Sequence, residues 1–162
     1  MSGVALFGKL PAHGDFVARG FTHDQREQID AWLSPSLAQA RADLGEAFAD
    51  TFDRALPWRC EGNGIAGAVA ASQDALGRRF PILLLIGDPA AAARCEALLY
   101  AAIGERWEAD RLVREAGDAA DALVIHAADR WWSADGDTEA ATLDGACPPI
   151  LMSAMLTRSP AS

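Results

Sequence analysis

Trp58-Arg59-Cys60, Glu61-Gly62-Asn63-Gly64, Ile65-Ala66-Gly67-Ala68-Val69-Ala70-Ala71: two strand-like runs flank a glycine-rich tetrad, the local signature of a β-hairpin. A polar interval, Ser72 to Arg79, follows. Then comes Phe80-Pro81-Ile82-Leu83-Leu84-Leu85-Ile86, an unbroken apolar run that suits a central strand buried on both faces. Three strands in succession without a helical crossover pair antiparallel. The small side chains of Ile65 to Ala71 let a helix lie close against the sheet. The expected fold class is α/β, a largely antiparallel sheet sandwiched between helices.

Working back toward the start, Val4 to Phe7 is a short apolar run ending at Gly8. Lys9, the only lysine, follows, and Pro11 and Gly14 bracket a polar turn carrying His13 and Asp15 before Phe16-Val17 return to apolar character. Proline fixes one backbone angle and glycine frees others, so this reads as a rigid strand-turn-strand. Thr22 with Gln25 has the form of a capping box and starts a helix with Ile29, Trp32 and Leu33 inward. Ser34-Pro35 offers a second N-cap and first-turn proline, which predicts a second helix carrying Leu37, Ala40, Leu44, Phe48 and Phe52 on one stripe. Gly45 predicts a bend or break in it, and Pro57 its end.

Beyond the central run, Asp88-Pro89 repeats the cap-and-proline device, and Cys95, Leu98, Leu99, Ala102 and Ile103 mark the buried face of the helix that follows. A third long helix is expected after Trp107, through Leu112, Val113, Ala116, Leu123 and Val124. Trp131-Trp132 reads as a short strand, Asp135 to Glu139 as an acidic loop, and Pro148-Pro149 as the lead into a last helix through Leu151 and Met155. No linker or repeat divides the chain, which predicts one domain over residues 1–162 with a loose tail from 158 to 162.

The 162 residues carry a formal net charge of −9, which argues against nucleic acid and against an anionic membrane surface. A basic surface on a protein partner remains compatible with it. Cys60, Cys95 and Cys147 are odd in number and widely spaced, poor material for a disulfide framework or a zinc site. The first ten residues lack a basic region followed by an apolar core, and no apolar run approaches the twenty or so residues of a membrane helix. A cytoplasmic, soluble protein is expected.

Four constellations bear on chemistry. Gly8-Lys9 resembles a phosphate loop only superficially: the earlier glycine is missing and Leu10 stands where a Ser or Thr would bind metal. His13 and Asp15 with His23 and Asp24 lack metal-site spacing. Ser72, Asp74 and His13 are the ingredients of a triad, without the Gly-x-Ser-x-Gly elbow that projects the nucleophile. The fourth is not catalytic. Lys9, His13 and Asp15 lie on one loop and Asp74, Arg78 and Arg79 on another, and if both loops share a sheet edge, Asp15 and Asp74 pair with Arg78 or Lys9. That group either pins the loops together or contacts a partner. No cofactor is expected, and the alternative function is a small hydrolase or metal-dependent enzyme using the His13, Asp15, Ser72 and Asp74 loops.

The order of residues adds a resemblance. Phe7-Gly8-Lys9-Leu10-Pro11-Ala12-His13-Gly14-Asp15-Phe16 resembles the opening signature of the TagF family of the bacterial type VI secretion system. Asp30-Ala31-Trp32-Leu33, Arg41, Leu44-Gly45 and Pro57-Trp58-Arg59 match next. Then comes Ser72-Gln73-Asp74-Ala75-Leu76-Gly77-Arg78-Arg79-Phe80-Pro81, similar to the family's Ser-x-Asp-x-x-Gly-Arg-x-Phe-Pro. Trp131-Trp132-Ser133 is a weaker match, and Leu6 and Ala71 depart from the pattern. The resemblance spans Val4 to Leu156. It implies a longin-like fold and a non-catalytic accessory protein that represses secretion post-translationally by binding the system's forkhead-associated-domain scaffold protein.

Overall fold

The computed structural model describes residues 3–117, 127–133 and 142–157. Among them, seven strands form one sheet: β1 (Val4–Gly8), β2 (Val17–Arg19), β3 (Trp58–Gly62), β4 (Ile65–Ala70), β5 (Ile82–Ile86), β6 (Ala128–Ser133) and β7 (Thr142–Asp144). Their spatial order is β2-β1-β5-β4-β3-β6-β7, and every neighbouring pair is antiparallel. Helices α1 (His23–Leu44), α2 (Phe48–Asp53) and α5 (Leu151–Thr157) cover one face; α3 (Ala92–Gly104) and α4 (Ala109–Ala116) cover the other. This is the α/β class expected from the hairpin and the central run.

The run at β5 is buried throughout, as its composition requires. Leu83 and Leu85 face the α1 layer, while Ile82, Leu84 and Ile86 face α3 and α4. On β4, Ala66, Ala68 and Ala70 present only methyl groups to that second layer, so α3 seats Cys95 and Leu99 directly against the sheet. Burial pushes the Cys95 thiol up to about 12 and that of Cys147 to about 11, so both stay protonated at neutral pH.

Several boundaries differ from expectation, each for a physical reason. The break at Ser34-Pro35 does not occur: α1 runs through Pro35 as one 22-residue helix. The proline removes an N–H, leaving the Ala31 carbonyl without its intrahelical donor. Packing outweighs that loss. On one side of Pro35 the Trp32 indole N–H donates to the Pro148 carbonyl at 2.8 Å; on the other, Ser36 Oγ accepts from the Met152 N–H at 3.1 Å. Trp32, Leu33, Leu37 and Ala40 all enter one core with Leu151, Met152 and Met155 of α5. Ser34 starts no helix; its hydroxyl donates back to Asp30 at 2.6 Å.

The capping box at Thr22 and Gln25 is present, with both reciprocal bonds made. The break at Gly45 is present too: α1 stops at Leu44, a 3-10 turn spans Gly45–Ala47, and α2 resumes. The hairpin is tighter than the tetrad suggested, since β3 extends to Gly62 and leaves Asn63-Gly64 as the turn. Helix α3 begins at Ala92 instead of at Asp88-Pro89, because the Asp88 carboxylate closes a separate turn on the Ala90 N–H at 2.9 Å. Strand β7, three residues beside β6, is too short for alternation to show in the sequence. Leu123, Val124, the acidic stretch 135–139 and the tail 158–162 lie outside the described residues.

Candidate functional site

The antiparallel register of β1 on β5 decides where the loops meet. Gly8 lies opposite Ile82, so the end of β1 and the start of β5 share one edge. The β1–β2 loop leaves from that edge, and the loop from Ala71 to Pro81 enters it. Gly8 sits at φ +143, and a Cβ there would lie 2.0 Å from the Pro81 carbonyl oxygen. Only glycine allows this approach.

Asp74 is the centre of the edge. Its side chain is fully buried, and both oxygens are occupied. One accepts from Lys9 Nζ at 3.1 Å and from Arg78 Nε at 2.7 Å. The other accepts from the Leu76 N–H at 2.9 Å and the Arg78 N–H at 3.0 Å. Burial is the largest single influence on this carboxyl and pushes its pKa up. The Arg78 amide, the Lys9 ammonium, the Arg78 guanidinium and the Leu76 amide together outweigh it, and hold the group well below the usual carboxylate range. Asp74 is therefore ionised and fully engaged at neutral pH.

The same network stitches the loops together through backbone groups. Arg78 Nη2 donates to the Gly14 carbonyl at 2.6 Å, and the Ala75 N–H donates to the His13 carbonyl at 2.7 Å. Lys9 is buried beneath the Phe16 ring, with Nζ 4.8 Å from its centroid. Phe16 in turn packs on Phe80 at 4.8 Å and Phe7 at 5.8 Å between ring centroids. The Gly77 N–H closes a turn on the Asp74 carbonyl at 3.0 Å, and Gly77 takes φ +83, which suits its lack of a side chain.

Lys9, Asp74 and Arg78 thus come together, as the shared edge predicts. Asp15 does not join them, which corrects the expectation of an Asp15 pair with Lys9 or Arg78. Its carboxylate is exposed and accepts from the next residue's N–H at 2.8 Å, a local turn bond that satisfies it in place. Arg79 points elsewhere, making two bonds to Asp53 of α2 at 2.7 and 2.8 Å that tie the same loop to the other layer. Asp53 is lowered in pKa by that arginine. His13 acts on a helix instead. Its Nε2 accepts the Ala109 N–H at 2.9 Å, capping the first turn of α4, whose own N-cap Glu108 makes no such bond.

The triad ingredients are consequently not assembled. Asp74 serves Lys9 and Arg78, His13 Nε2 serves α4, and the buried Ser72 hydroxyl has no hydrogen-bond partner among the described residues. His23 pairs with Glu27 on the surface of α1. Among the described residues no three His, Cys, Asp or Glu side chains gather as a metal site. Sequence reasoning missed Asp53 and Arg106, whose guanidinium donates to the Pro11 carbonyl at 2.8 Å; both lie far from the loops in sequence, and no local pattern marks them.

Fold and edge together define a three-layer α/β/α protein in which two loops are locked by a buried carboxylate. The family model described as TagF N-terminal domain, type VI secretion system-associated, matches residues 5–157, and the chain belongs to that family. The crystal structure of PA0076 from Pseudomonas aeruginosa PAO1 has a similar fold, with a TM-score of 0.76 at 22% identity, over 99% of this chain and 96% of that one. No curated protein matches the sequence. No helix among the described residues is long and apolar enough to cross a membrane.

Proposed function

We propose that this protein is a non-catalytic regulator of type VI secretion that acts post-translationally in the cytoplasm, by holding the forkhead-associated-domain scaffold protein of the system. One observation carries the non-catalytic half. Two polar groups of the matched loops are engaged in structure: Asp74 accepts four hydrogen bonds and His13 Nε2 caps a helix, which argues against their serving as base or ligand. Membership of a secretion-associated family supports the setting, and the resemblance of the three sequence blocks to secretion repressors supports the partner.

Overproducing the protein in a bacterium with an active secretion system is expected to reduce effector release while transcripts of the secretion genes stay unchanged. A parallel fall in transcripts, or unchanged release, overturns the reading.

A further inference from the structure

We infer that the turn Asp74 to Arg78 is a preorganised docking knob, with Leu76 as its anchor and Phe16 beside it, for a protein surface bearing an apolar pocket with a carboxylate at its rim. Leu76 is 74% exposed and Phe16 44%. Single exposed apolar side chains are ordinary on protein surfaces. These two differ in how they are held. The Leu76, Gly77 and Arg78 amides at the tip all donate to Asp74, whose carboxylate also holds Lys9 beneath the Phe16 ring. Arg78 and Ala75 bond the carbonyls of Gly14 and His13, in the same turn as Phe16. Both side chains therefore sit on one rigid edge, and their ordering cost on binding is largely met in advance.

Connectivity does not require such a loop. Strands β4 and β5 are antiparallel neighbours, which a turn of two to five residues or so can join. The chain instead uses residues 71–81 and buries a carboxylate to shape them. Elaborate ordered loops of this kind are where binding residues concentrate. The charge at the base of the knob sets the partner's chemistry. Arg78 is half exposed; its Nε and Nη2 are used internally, and its remaining nitrogen has no partner among the described residues. A carboxylate at the pocket rim completes it. Tyr100 and Ile150, also exposed, lie on other elements, on α3 and just before α5.

The inference rests on the binding role proposed above, and its test separates the two. Affinity for the purified scaffold protein is measured calorimetrically for the wild type, Leu76→Ser and Ile150→Ser, with thermal melts of each. Leu76→Ser is expected to weaken binding at least tenfold at an unchanged melting temperature, with Ile150→Ser within about twofold of wild type. Unchanged affinity in Leu76→Ser overturns the knob and leaves the scaffold-binding role standing. Equal losses in both variants overturn the knob as the specific site. A wild type that does not bind the scaffold overturns both.

Discussion

Two regions of this protein fasten a peripheral segment with buried polar groups, and they do it differently. At the sheet edge, a charged cluster of Lys9, Asp74 and Arg78 locks the β1–β2 loop to the loop before β5. At the seam of α1 and α5, neutral groups do the work: the Trp32 indole on a carbonyl and the Ser36 hydroxyl on an amide, inside an apolar contact. A neutral bond in an apolar seam contributes modestly, and the seam retains its hydrophobic burial without it. A buried charge network is different. It need not add net stability over an apolar replacement, but removing one member strands the others. The seam is built to hold, whereas the edge is built to hold one shape.

The largest test of that contrast is Asp74→Ala, which leaves Lys9 buried without its anion and frees the amides of the turn. A fall in melting temperature of about 10 °C is expected. Acid should reproduce part of it. Because the Asp74 carboxyl is held below its ordinary value, the folded protein binds fewer protons than the unfolded chain once pH falls past about 4. The stability it confers is fully present above that pH and is lost as pH falls toward the folded-state value. Asp53 and Asp110, lowered by Arg79 and Arg19, shift the same way. Denaturant midpoints should therefore drop between pH 6 and pH 3 in the wild type, and drop less in Asp74→Asn.

Ser36→Ala probes the neutral seam. It leaves the buried Met152 amide without an acceptor, for an expected loss of about 2 kcal/mol, or about 6 °C. A loss exceeding that of Asp74→Ala would reverse the comparison.

Arg78→Ala should cost less, about 4 °C. The guanidinium is half exposed, and Lys9 remains on the carboxylate. This variant sharpens the contrast by separating the buried partner of Asp74 from the exposed one. A fall as large as that of Asp74→Ala would show that Lys9 alone cannot hold the edge.

The smallest effect belongs to His13→Ala, which removes the remote cap of α4. A loss of about 1 kcal/mol is expected, with faster hydrogen exchange at the Ala109 amide and little change at Leu76. Equal loosening at both amides would mean that the cap and the charged cluster form one cooperative unit.

Local patterns were enough to place the central hairpin, the buried strand after it and the start of the first helix. The hairpin at Trp58 to Ala71, the continuous apolar run into Ile86 and the capping box at Thr22 are local patterns, and each made its element within a few residues. Whether the two polar loops meet was left open by the sequence, because β1 and β5 are not successive strands; their pairing in the assembled sheet brings the loops together. Tertiary structure decided what local propensity could not. Pro35 stays inside a helix because Trp32 and Ser36 reach residues 116 positions away in the chain. Asp15 and Asp74 look alike in sequence, each on a polar loop that also carries a basic residue a few positions away. Only packing buries Asp74 over Lys9 and leaves Asp15 in water. A carboxylate takes a distant partner when burial denies it solvent, and burial belongs to the assembled layers, not to any stretch of sequence.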